Sequence, residues 1–221
     1  MDLNNAAIIV FQLAVLLFSI MIHEVSHGAV ALYLGDDTAK RLGRLTLNPI
    51  KHLDPFGSII LPLLLSIPLF FGGSSVIVGW AKPVPYNPYN LKNPKKGAAI
   101  IGAAGPASNL ILATVFALML HLPLTFGIGG EMLILAFSLI VLLNLLLAIF
   151  NLVPIPPLDG SKILFALLPN SWSNIQRTLE VHGFLLIILF ILFGLPLLRT
   201  VVFFIFGLLL FLTGAPPNLP L

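Results

Sequence analysis

The chain has 221 residues, 58% of them hydrophobic and only 9% charged, where soluble domains carry about 25% charged residues; this excludes an ordinary water-soluble globule and makes a lipid bilayer the main solvent. The net charge of +3 is dispersed, with no basic cluster interleaved with aromatics, so no nucleic-acid partner is expected. Cysteine is absent, which rules out disulfides and thiolate metal sites, so any metal must be held by His, Asp or Glu.

The first span runs from about Asn5 to Leu34 and is ended by Gly35, Asp36 and Asp37. It has no positive n-region, and it carries the most informative motif of the chain, so it reads as a retained span and not as a removable signal peptide. A basic loop follows with Lys40, Arg41, Arg44 and Lys51. Residues 57–71 are apolar but few, and Pro62 and Pro68 interrupt them. Proline removes a backbone donor and kinks a helix, which predicts a re-entrant or broken segment, with a full crossing as the alternative. The stretch 76–93 (VIVGWAKPVPYNPYNLKN) is rich in Pro, Asn and aromatics and predicts an extended, strand-forming region.

Two strong spans follow at about 97–121 and 132–150, and their connection, 122–131, contains no Lys or Arg. The chain then passes through NLVPIPPLDG and an amphipathic segment ending near Glu180. Residues 181–198 and 201–213 predict a hydrophobic hairpin broken by Pro196 and Arg199. The expected fold is an all-α polytopic membrane protein with about five to six transmembrane helices, a re-entrant segment and a short membrane-associated strand region. Its expected parts are a core at 1–180 and a C-terminal hairpin at 181–221. Ten of the eleven Lys and Arg fall in loops that this scheme puts on one side, Arg199 being the exception. By the positive-inside rule that side is cytoplasmic. The ends of the first span that carry the motif then face the cytoplasm.

That motif is His23-Glu24-Val25-Ser26-His27. Residues four apart on a helix lie one turn on and close in azimuth, so both imidazoles can point at one zinc ion. Glu24 then falls beside a metal-bound water and can act as its general base. It is the only acidic residue inside a predicted span, where an ionisable group is costly and usually functional. The plainer reading, packing histidines with Glu24 paired to a base, finds no Lys or Arg within the spans to serve as the partner. Catalytic zinc usually takes three protein ligands, and His52, Asp54, Asp159 and His182 are the candidates for the third. Pro154, Pro156 and Pro157 force an extended backbone that could return Asp159 to the bilayer face, with Gly160 permitting a tight turn after it. A solvated Asp-Gly turn is the bland alternative.

HEVSH in one span and NLVPIPPLDG after a later one resemble the site-2 protease family of intramembrane zinc metalloproteases, peptidase M50 type. Gly105-Pro106-Ala107-Ser108-Asn109 and the GWAKPVP stretch at 79–85 are also similar to its small prokaryotic members. The motif departs from the family's N-x-x-P-x-P-x-L-D-G pattern only in having a further proline, Pro157, before Leu158. The resemblance covers roughly residues 10–170. It implies one zinc ion held by His23, His27 and Asp159, Glu24 as base, Asn151 on the substrate backbone, and Asn109 as a weaker polar contact, with helix packing as its alternative role. It also implies that 76–93 receives substrate as a strand edge. The chain leaves no evident room for PDZ or CBS modules, so regulation by them is not expected.

His52 reads as a loop residue, and His121 and His182 as amphipathic rings at span ends. The leading reading is an enzyme of a prokaryotic plasma or inner membrane that hydrolyses peptide bonds in or near transmembrane segments of membrane-protein substrates. A membrane metal transporter or sensor is the alternative from another class, but its polar groups would line a path across several helices, whereas here they converge. An inactive relative acting as a binding partner is the third, against which all four chemical residues are intact.

Overall fold

A computed structural model describes residues 3–60, 63, 64, 67, 82–127 and 129–213. Among these every regular element is helical. Helix α1 spans Leu3–Tyr33 and α2 Thr38–Arg41. After short turns at Pro49–Lys51 and Pro55–Ile60 come α3 (Pro94–Met119), α4 (His121–Phe126), α5 (Gly130–Asn151) and α6 (Asp159–Leu167). Helix α7 (Ser173–Leu189) runs through a π-helical turn at Phe190–Gly194 into α8 (Leu195–Thr213).

Four stretches are long and apolar enough to cross a membrane: Ala7–Tyr33, Pro94–Phe126, Gly130–Asn151 and Asn170–Thr213. The chain is a multi-pass membrane protein, with four such stretches among the described residues in place of the five to six expected. The C-terminal hairpin is replaced by continuous helix. Pro196 follows directly on the π turn, which absorbs the misfit of its missing N–H within the continuous helix. Arg199 stays in that helix, with its guanidinium 5.6 Å from the Phe203 ring centroid. The expected re-entrant segment at 57–71 and the start of the expected strand at 76–93 lie largely outside the described residues. Residues 82–93 are described and form no strand: they run irregularly into a 3-10 turn at Pro88–Asn90. Pro83, Pro85 and Pro88 each lack the N–H a ladder needs.

Helix α3 is the centre of the molecule, packing against α1, α5 and α6. Asn93 caps it by accepting from the Lys96 N–H, with Pro94 at its first position. On its far half, Ala113, Ala117 and Leu120 pack with Val141 and Leu145 of α5 and with Leu198, Val202, Phe206 and Leu210 of α8. The four α8 residues recur every fourth position, one stripe of a helix, so the C-terminal segment is part of the same core. The near half of α3 is lined with small residues, and that is where the functional groups gather.

The end of α1 is tied to the loop before α3 by Asp36, which is fully buried. Its carboxylate accepts from Thr38 N and Oγ1, from Asn87 N at 2.7 Å and from Asn90 Nδ2 at 2.7 Å. Burial alone would raise its pKa, but the hydrogen bonds from Thr38, Asn87 and Asn90 outweigh it and hold the carboxyl below its usual value of 3.8. A depressed folded pKa contributes stability that is present above pH 3.8 and is lost as pH falls through the folded value. Asp36→Asn is expected to lower stability at pH 7 by about 1–3 kcal/mol, because an amide turns a donor toward donors. The acid-side loss of melting temperature should also flatten in the variant, and an unchanged pH profile would contradict this role.

Candidate metal centre

His23 and His27 lie one turn apart near the end of α1, both nearly fully buried. Their rings meet edge to face with centroids 4.6 Å apart. Asp159 opens α6, and its Oδ2 lies 3.0 Å from the Nε2 of each histidine. The ligand atoms of His23, His27 and Asp159 all fall within 4.8 Å of one another, the one such group of His, Asp or Glu among the described residues.

The outer nitrogens of the imidazoles decide what the inner ones need. His27 Nδ1 donates to the Ile101 carbonyl at 2.6 Å and His23 Nδ1 to Asn109 Oδ1 at 3.1 Å. With the proton fixed on Nδ1, a neutral ring presents a bare lone pair at Nε2. Two lone pairs and a carboxylate oxygen cannot share so small a space unless positive charge lies between them, either as extra protons or as a metal ion. Tetrahedral zinc bonded at about 2.0–2.1 Å spaces its donors by about 3.3 Å, close to the separations found. A second observation agrees. A Cβ built on Gly105 of α3 would lie 2.5 Å from both Nε2 atoms. The helix wall is hollowed where an ion would sit, and the donor set fits zinc.

Lys162 Nζ donates to Asp159 Oδ1 at 2.8 Å, which leaves Oδ2 as the oxygen facing the histidines. Burial opposes ionisation of Asp159, yet the two imidazoles and the charge of Lys162 hold its carboxyl well below the usual carboxylate range. Gly160 serves otherwise than expected: it is helical and makes no tight turn. Its missing side chain lets the backbone of residues 152 and 153 pass, since a Cβ would lie 2.6 Å from the Val153 carbonyl oxygen.

Glu24 lies beside the cluster in sequence, and its Oε2 accepts the Val84 N–H at 2.8 Å. Asn109 is fully buried and faces the His23 ring. Asn151 ends α5, and its Nδ2 donates back to the Leu147 carbonyl. The other candidates for a third ligand lie elsewhere. His52 is buried against the Thr46 carbonyl, Asp54 accepts from Gly57 N, and His182 is exposed with its Nδ1 donating to Thr178. Sequence reasoning gave Gly105 no role beyond a family likeness; the signal was a Gly-Pro pair inside an otherwise uninterrupted span.

The sequence profile of peptidase family M50 matches residues 11–130 and 129–195. YwhC of Bacillus subtilis is 42% identical over 189 residues, covering 82% of this chain and 79% of its own. Rip2 of Mycolicibacterium smegmatis is 29% identical over 194 residues (86% and 70%). Rip2 of Mycobacterium tuberculosis is 30% identical over 199 residues (89% and 71%). All three are named as candidate zinc metalloproteases. No solved structure matches the chain. The transporter alternative is not favoured by these relatives. With the motifs, the helical membrane fold and the zinc-fitting donor set, the match identifies the chain as a zinc metalloprotease of peptidase family M50, a small member of the site-2 protease group.

Proposed function

We propose that this enzyme hydrolyses peptide bonds within or near transmembrane segments of membrane-protein substrates, as in regulated intramembrane proteolysis. The observation that carries the proposal is that His23 and His27 belong to a helix long and apolar enough to span a bilayer, and no separate soluble domain holds them. His23, His27 and Asp159 would hold the ion. Zinc held there supplies a Lewis acid that acidifies water and polarises a carbonyl. Glu24 takes the proton of the attacking water and returns it to the leaving amine. Asn109 orients His23, and Asn151 contacts the substrate backbone. Residues 1–180 carry all of these groups, and the described part of 181–221 contributes packing.

Glu24→Gln keeps size and polarity but cannot accept the proton. Zinc content should stay at the wild-type level while cleavage of a transmembrane peptide falls at least about a hundredfold. Cleavage at the wild-type rate would remove Glu24 from the chemistry. The chemistry would face the cytoplasm, since ten of eleven Lys and Arg lie in loops and helix ends assigned to that side. Reporter fusions in 40–51 and 82–96 should both read cytoplasmic and one near 127–130 external; opposite readings for the first two would overturn this orientation.

A further inference from the structure

The carboxylate assigned as base is already half engaged, by a main-chain donor sixty residues away. Val84 lies in the irregular segment 82–87, and four features bring its N–H to Glu24 Oε2. Gly28 sits one turn beyond Glu24 on α1, where a Cβ would lie 2.7 Å from Val84 Cγ1 and 2.6 Å from Leu45 Cδ2. The missing side chain is what lets the segment lie against the helix, and Val84 is buried there. Immediately before Val84 the segment is pinned twice: Lys82 N donates to the His52 carbonyl at 2.9 Å, and Arg44 Nη2 donates to the Lys82 carbonyl at 2.7 Å and more weakly to that of Pro83. Just after it, Asn87 N donates to the buried Asp36. Finally, Pro83 and Pro85 have no N–H, so Val84 carries the sole main-chain donor of the three residues. A slip of one residue either way would offer Glu24 nothing, so the register is fixed by the sequence itself.

We infer that the Val84 N–H is a positioning donor for the base. It fixes one oxygen of Glu24 and so the plane of the carboxylate, leaving the other oxygen to meet water. A free glutamate side chain samples several rotamers, and a base acts only within hydrogen-bond reach of the proton it removes. The Pro-Val-Pro segment thus sets turnover without touching substrate or metal. This rests on the assignment of Glu24 as base.

The test uses the full-length protein, zinc-loaded, with a transmembrane peptide substrate. Val84→Pro removes the donor, and the flanking prolines already favour an extended chain; Val84→Ala keeps it. Val84→Pro should lower kcat about tenfold or more, with KM within about twofold and zinc content unchanged, whereas Val84→Ala should stay within about twofold of wild type. In a Glu24→Gln background, Val84→Pro should cost nothing further. If Val84→Pro does not fold, Gly28→Ala serves instead: its methyl displaces the stiff Val84 side chain, while Leu45 can turn aside. Gly28→Ala should then lower kcat with zinc retained, and Gly28→Ala combined with Val84→Ala should recover it. Normal kcat in Val84→Pro, or zinc lost together with activity in these variants, overturns the positioning role while leaving the base assignment standing. Wild-type turnover by Glu24→Gln removes the base assignment, and this inference falls with it.

Discussion

Asp159→Ala is expected to strip zinc from the enzyme as completely as His27→Ala, to below about a tenth of an ion per chain, with activity lost in parallel. The expectation follows from how little else can replace the carboxylate. Its Oδ2 stands 3.0 Å from both imidazole nitrogens, and its Oδ1 is taken up by Lys162. Both outer histidine nitrogens are committed to α3, so the rings cannot swing to recruit another donor. Loss of a group that merely orients a ligand already costs 10–100-fold in affinity, so loss of the ligand itself must cost more. His52→Ala, Asp54→Ala and His182→Ala should keep their zinc, since their contacts lie on other segments. Elemental analysis of the purified proteins decides the matter. A zinc-loaded, active Asp159→Ala beside a zinc-free variant of one of those three would overturn the ligand set.

The sequence spoke clearly wherever the chemistry is local. His23, Glu24 and His27 share a helix, and helical geometry alone turns their spacing into a shared direction. Apolar length likewise marks α1, α3 and α5 without reference to anything distant. Asp159 was legible only in part. The prolines before it explain why α5 stops, but four candidates remained open until the family likeness was added. What stayed hidden depends on contacts between segments remote in sequence. Gly28 and Gly105 are ordinary small residues until the partner that needs their space is known. Pro196 read as a break because proline usually ends a helix interior, yet here the π turn just before it accommodates the missing N–H and the helix continues. The strand expected at 76–93 failed over its described part for the opposite reason. There the prolines do forbid a ladder, and the lone donor left between two of them serves Glu24 instead.

Gly105→Ala, one methyl group on a helix that Ala should otherwise favour by about 1 kcal/mol, is expected to abolish zinc binding without unfolding the protein. The new Cβ would stand 2.5 Å from His23 Nε2 and His27 Nε2 and 2.6 Å from His23 Cε1, far inside van der Waals contact. The helix cannot back away to relieve this. The Ile101 carbonyl and Asn109 Oδ1, four residues to either side, hold the two imidazoles on the same helix, so any retreat of α3 carries the rings with it or breaks both bonds. One turn earlier on the same face, Gly102 is close-packed too, with its own Cβ position 3.1 Å from the Asp159 carbonyl oxygen. The methyl therefore occupies the hollow on which the three donors converge, or it pushes the histidines out of line with Asp159. Zinc content and turnover should fall as far as in His27→Ala, with helical circular dichroism and chromatographic behaviour unchanged. Gly207→Ala on α8, where a Cβ meets nothing within 4 Å, is the control and should keep its zinc. Full zinc and normal cleavage in Gly105→Ala would mean that the ion does not lie against α3, and the centre would have to be rebuilt around other donors.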